Sequence, residues 1–182
     1  SLPGVSVKTT LGKEVGHKSV SWADGDQVRV FYANEHTDAT VAEDGSINAQ
    51  VGESEIYGAV YPLLDGSMSD RTITVTIPTE QDGTFAKANV MAAITGASQR
   101  MFTFSNVSGL ISFEVKRDDL TKVIIRSNDG SPIAGSQSLT FDENGAVSGV
   151  EYAEGGSPEI TVALNGPGIY YVATMINVEM KA

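Results

Sequence analysis

Three hexapeptides alternate strictly between apolar and polar residues. In "TITVTI" (72–77), Ile73, Val75 and Ile77 fall on one side and three threonines on the other. In "ISFEVK" (111–116), Ile111, Phe113 and Val115 oppose Ser112, Glu114 and Lys116. In "EITVAL" (159–164), Ile160, Val162 and Leu164 share a side. A period of two is what a strand with one buried face requires, and the β-branched and aromatic residues suit a pleated surface. Further strands are expected at 5–10, 18–23, 27–33, 38–42, 46–51, 56–61, 101–105, 122–127, 137–141, 168–174 and 176–180. "FAKANVMAAITGA" (85–97) lacks a 3.6-residue stripe and is expected to be loop followed by strand.

Between these runs the chain repeats one kind of punctuation. Asp-Gly stands at 24–25, 44–45, 65–66, 82–83 and 129–130, and Asn-Gly at 144–145 and 165–166. Tight turns need positive φ, which Gly adopts freely and Asp or Asn better than most residues. Many short strands joined by such turns point to an antiparallel all-β sandwich or barrel. The 182 residues carry no internal repeat or obvious linker, so residues 1–182 are expected to form a single domain.

The charge balance narrows the function. Twelve Lys and Arg against 23 Asp and Glu leave a net charge of −11. Such a surface repels phosphates and anionic membranes, which argues against nucleic-acid binding or membrane-surface binding. With no cysteine there is neither a disulfide framework nor a thiolate nucleophile. No apolar run approaches the roughly 20 residues of a membrane-spanning helix. "SLPGVSVKTT" has no charged or apolar signal region, so an export signal is expected upstream.

Asp24 and Asp26, beside the single tryptophan Trp22, are the first candidate pair for chemistry. A calcium loop starting at Asp24 would put Val28 at its fifth position and Arg29 at its sixth, where a ligand and a Gly are needed. No Asp-Thr/Ser-Gly triplet of an aspartic protease occurs. The pair is instead expected to sit at a hairpin turn between strands 18–23 and 27–33, with Val20, Trp22, Val28, Val30 and Tyr32 facing the core. Asp142 and Asn144 in "DENG" are expected to form another hairpin turn, with no bidentate acid following for calcium. His17 and His36 could build a zinc centre only with carboxylates brought to them by folding and are read as surface or strand-end residues, and no G-x-S-x-G, P-loop or dinucleotide-binding pattern is present. The residues therefore predict no catalytic, cofactor or metal site. Tyr57, Tyr61, Tyr152, Tyr170 and Tyr171 could supply a sugar-stacking platform. Asn106-Val107-Ser108 fits a glycosylation sequon and is taken as chance.

Several blocks in register carry a resemblance. "VSWADGDQVRVF", "YGAVYP" (57–62), "ITVTIPTEQDGTFAKANVMAA" (73–93), "FTFSNVSGLISFEVK" (102–116) and "KVIIRSNDGSPIAGSQSLTF" (122–141) together resemble the fimbrillin-like proteins of the Bacteroidetes. The resemblance covers about residues 18–175. It implies a transthyretin-like antiparallel β-sandwich of about seven core strands with extra short hairpins. It also implies export, lipid anchoring through an upstream cysteine and display on the outer membrane. The implied role is a non-enzymatic adhesin or pilus subunit or anchor, whose partners are other pilus or surface proteins, itself included. A carbohydrate-binding surface lipoprotein with a glycan ligand is the alternative, and an enzyme built on paired carboxylates ranks third. Family members commonly carry two such domains, and a second domain is expected to lie downstream. Some mature by cleavage after an N-terminal arginine. Here the first arginine is Arg29, inside an expected strand.

Overall fold

The computed structural model describes residues 21–23, 25–99 and 101–176. Among them the chain forms fourteen strands and a single short helix. In order these are β1 (Gln27–Tyr32), β2 (Glu35–Thr40), β3 (Ile56–Tyr61), β4 (Gly66–Ser69), β5 (Thr72–Ile77) and β6 (Glu80–Gln81). Then come α1 (Phe85–Ala88), β7 (Met91–Gly96), β8 (Ser105–Asn106), β9 (Ser108–Val115), β10 (Lys122–Arg126) and β11 (Gly135–Phe141). The chain continues through β12 (Val147–Tyr152), β13 (Glu159–Ala163) and β14 (Gly168–Met175). Strand pairing is antiparallel throughout except for β13 with β6. The chain is therefore the all-β, sandwich-like fold that its alternation predicts.

The ladders run β2-β1-β3-β7-β8, β12-β11-β5-β4, β10-β13-β6 and β14-β9. The last two are joined by a side chain. Gln81 donates from Nε2 to the Ala173 carbonyl at 2.8 Å and accepts the Ala173 N–H on Oε1 at 2.9 Å. Its amide thus makes the two-point exchange that a backbone peptide would make in an antiparallel ladder. Gly83 O, two residues on, accepts Tyr171 N–H at 2.8 Å. Residues 79–83 consequently sit between β13 and β14 and bond to both. This gives the Pro-x-x-Gln run (78–81) a structural purpose: Nε2 also donates to Pro78 O at 3.0 Å.

The alternating strands place their apolar sides inward. Ile73, Val75 and Ile77 are fully buried, as are Leu139, Ile160 and Val162. On the outer side of β5 and β11 the hydroxyls pair across the strands, Thr74 with Ser138 at 2.8 Å and Thr76 with Ser136 at 2.7 Å. The five-stranded sheet behaves differently, because both of its faces are covered. Phe31, Val60, Ala92 and Ile94 face the main core. Val28, Val30, Ala59, Tyr61, Met91 and Ala93 face a second cluster with Trp22, Ile47, Phe102 and Phe104. Continuous burial explains why "YGAVY" and "MAAI" lack alternating polar residues.

Several expected elements differ. The partner of β1 across its turn is β2, and its other side is filled by β3, so no hairpin with 18–23 forms along it. Expected strand 5–10, residues 18–20 and residues 177–180 lie outside the described residues. Segment 46–51 is no strand: it makes one bridge, Ile47 to Val41, and covers the sheet with side chains. Likewise Phe102 and Phe104 alternate inward while their backbone stays out of any ladder until β8. The loop expected at 85–88 is the helical turn α1. Six of the seven Asp-Gly and Asn-Gly glycines have positive φ; Gly66 begins β4 instead.

Candidate functional site

Asp26 is a structural residue. Its Oδ1 accepts the Tyr61 hydroxyl at 3.0 Å and its Oδ2 accepts Ala23 N–H at 2.7 Å. A β-turn closes over it, with Asp26 N–H on Ala23 O at 3.1 Å and Gly25 at φ +88°. A turn stands where one was expected and leads into β1. Asp24 lies outside the described residues. Trp22 is buried, edge-on to Tyr61 at 5.3 Å and to Phe104 at 5.7 Å. The expected core positions of Trp22, Val28 and Val30 hold, and Tyr32 is partly buried against the same cluster.

The other candidates are similarly engaged. Asp142 Oδ1 accepts Asn144 N–H and Ala146 N–H at 2.8 and 2.9 Å, which closes the β11–β12 hairpin. His36 is exposed on β2 beside Phe31, and His17 lies outside the described residues. Tyr57, Tyr61 and Tyr170 are buried, and Tyr171 is half-buried against Phe85. Tyr152 is the only exposed tyrosine among the described residues, and its hydroxyl donates to Ile176 O. The tyrosine rings are thus dispersed over the fold. Asn106 of the sequon is exposed on β8. Among the described residues no group of three or more His, Asp or Glu could hold a metal ion. No helix among them is long and apolar enough to cross a membrane.

Arg29 lies in β1, held between two partner strands. Its guanidinium clasps Asp38 through Nε (2.8 Å) and Nη2 (3.0 Å) and donates to Leu64 O at 3.1 Å. Those bonds hold the Asp38 carboxyl below its ordinary range and raise the guanidinium pKa.

Two surface features remain. The first is a cleft of about 590 Å³ at one end of the sandwich. The end of β3 and the cis Tyr61–Pro62 peptide form one wall, with Leu63 and Leu64. Pro78, Gln81, α1 and Tyr171 form the other. The acids Asp26, Glu80 and Asp82 line it together with a single lysine, Lys87. Lys87 Nζ is bound to Asp82 Oδ2 at 2.6 Å. Burial pushes the Asp82 carboxyl up, but hydrogen bonds from Lys87 and Thr84 outweigh it and hold the group below its ordinary value.

The second feature is the edge of β9. This eight-residue strand pairs only with β14 among the described residues. β14 is bonded on its other side by Gly83, Gln81 and Ile133. Register places Leu110 opposite Ala173, Ser112 opposite Tyr171 and Glu114 opposite Ile169, all on one face. Leu110 and Ile169 are 47% and 63% exposed there, two of the few large apolar side chains left in water. The alternation in "ISFEVK" gave the inward side correctly, but Ile111 and Phe113 are only half-buried because β9 is an edge. That Leu110 and Ile169 share one exposed face was missed, since the faces of two paired strands can be related only once the register is known.

No protein-family model matches the chain, and no curated protein matches it. Among solved structures, a chain from Bacteroides ovatus ATCC 8483, provisionally described as a cell adhesion protein, is similar. The identity is 14% and the TM-score 0.46, over 87% of this chain and 72% of that one.

Proposed function

We propose that the chain is a non-enzymatic adhesion or fimbrial module of a bacterial cell surface, acting through protein–protein contacts. The motif resemblance to fimbrillin-like proteins supplies the class, including export and a lipid anchor upstream. The observation that carries the contact is the edge of β9, which has no second partner strand among the described residues and has exposed Leu110 and Ile169 on one face of its ladder with β14. A long unpaired edge offers backbone donors and acceptors to an added strand, and natural folds normally blunt such edges with charge. β2, also an edge, is blunted in that way by Glu35 and Asp38. β9 carries a single charge, Glu114.

The test is attachment of beads coated with the chain to cells that display the native protein. Leu110→Lys with Ile169→Lys removes the apolar pair on an exposed face and should leave folding intact. Attachment is expected to fall at least tenfold, the size of effect that loss of an interface hot spot of about 1.4 kcal/mol or more produces. Attachment equal to the parent's would contradict the proposal.

A further inference from the structure

Given that β9 is a contact edge, we infer that its partner strand is β10 of a second copy of this chain, which joins copies edge to edge into one continued sheet. β10 is the opposite edge of the same layer and pairs only with β13 among the described residues. The layer runs β10, β13, residues 79–83, β14, β9. Strand sense reverses from β10 to β13, is kept into residues 79–83, and reverses again into β14 and into β9. β9 and β10 therefore run in opposite senses, and a copy set alongside in the same orientation meets β9 with an antiparallel β10.

The backbone groups agree. The N–H groups of Tyr171, Ala173 and Met175 bond away from β9, so β14 bonds it through Gly109, Ile111 and Phe113. That leaves the N–H and C=O of Leu110, Ser112 and Glu114 at the open edge. On β10, Thr121 O accepts from Leu164 N–H and Ser127 N–H donates to Pro158 O. Odd positions thus face β13, and Lys122, Ile124 and Arg126 face outward. The side chains of both trios are exposed, while Ile111, Phe113 and Ile125 turn the other way against the main core.

Charge selects the pairing. β10 against a second β10 would set Lys122 opposite the partner's Arg126 at both ends, so its cations bar that match. β9 against β10 sets Glu114 opposite the partner's Lys122, Ser112 opposite the partner's Ile124 and Leu110 opposite the partner's Arg126. Glu114 lies 3.4 Å from Lys116 and Arg126 is bound to Glu159, but Lys122 has no ion-pair partner among the described residues. The contact supplies one. It also brings Leu110 diagonal to the partner's Ile124 and covers both, which are 47% and 42% exposed. Two different edges meet, so the contact repeats without closing and builds open chains of copies.

The experiment follows the mass of the intact chain by sedimentation up to about millimolar. Salt at about 0.15 M screens the repulsion between chains of net charge −11 beyond about 8 Å. Mass is expected to rise past the dimer. Glu114→Lys and Lys122→Glu, both exposed changes, should each weaken assembly about tenfold or more, because each sets like charges face to face. Urea midpoints equal to the parent's would show that neither variant has lost its fold. A mixture of the two should assemble again, since each brings the charge that the other lacks, and so should the chain that carries both. A monomer at about millimolar, a mass that levels off at the dimer, Lys122→Glu assembling like the parent, or a mixture that stays apart would each overturn the inference. The bead assay fails separately. Beads carrying Leu110→Lys with Ile169→Lys keep β10, but attachment through many chains at once falls steeply when the contacts per chain are halved, so the tenfold loss still holds. Attachment that depends on β9 in a chain that stays monomeric would uphold the adhesion reading and overturn this one.

Discussion

Gln81 shows how one side chain can stand in for a strand. It satisfies the N–H and C=O of Ala173 and the C=O of Pro78, so its loss leaves three backbone groups without partners. An unsatisfied buried polar group costs about 1–3 kcal/mol. Gln81→Leu is therefore expected to lower unfolding free energy by about 2–4 kcal/mol in urea titration. Gln81→Glu should not rescue it, because a carboxylate can accept from Ala173 N–H but cannot donate to either carbonyl. A parent-like midpoint for either variant would contradict this role. Asp129 gives a pH prediction at the same scale. The Ser127 hydroxyl and the Ser131 N–H donate to its carboxylate and hold its pKa down to about 2. A folded pKa below the unfolded value of about 3.9 means the group favours the folded state above that value. That contribution is lost as pH falls from about 4 through about 2. Carboxyl-detected NMR should find Asp129 titrating near 2, and Asp129→Asn should remove this part of the acid sensitivity. A titration near 4 would show that the turn does not hold it. That turns fall beside Asp26 and at Asp142 was legible from Asp-Gly and Asn-Gly spacing; the backbone bonds their carboxylates accept there were not. That of Gln81 was not, because its partner Ala173 stands 92 residues away.

Among the elements, β3 is buried on both faces. Gly58 lies beneath Met68 of β4 and Ile73 of β5, and a Cβ there would come within 2.5 Å of Met68 Sδ and 3.0 Å of Ile73 Cδ1. Gly58→Ala should cost about 1–3 kcal/mol by overpacking. Met68→Ala should recover part of that loss, making the double variant about 1 kcal/mol more stable than the sum of the singles predicts. Strict additivity would show that the two strands do not press on each other there. Strand existence was readable wherever alternation was strict or an apolar run was unbroken, so β3 and β5 agree with expectation to the residue. β4 and β12 were not foreseen. Each contains glycine and serine in place of a clear apolar face, and each is fixed by its neighbour, β5 or β11. Conversely, 46–51 and 101–104 alternate well enough to bury side chains but form no ladder among the described residues. Alternation reports burial, and a ladder also needs a partner.

For the whole molecule, the arrangement leaves two surface features, the end cleft and the β9 edge. They lie on either side of β14, which Tyr171 joins to the cleft and the register joins to β9. The fold class was legible because it rests on local pattern. The two surfaces were not, because each is built from segments distant in sequence, with Gly25 and Tyr171 meeting at one cleft. The central claim is that the molecule works by contact through β9. Site-specific photocross-linking tests it most directly, with a photoreactive residue at Leu110, and at Glu143 on the β11–β12 hairpin as control, in the native protein on its cells. The account predicts a discrete adduct with a surface protein or a second copy from position 110, and none from position 143. No adduct from 110, or equal adducts from both positions, would contradict it.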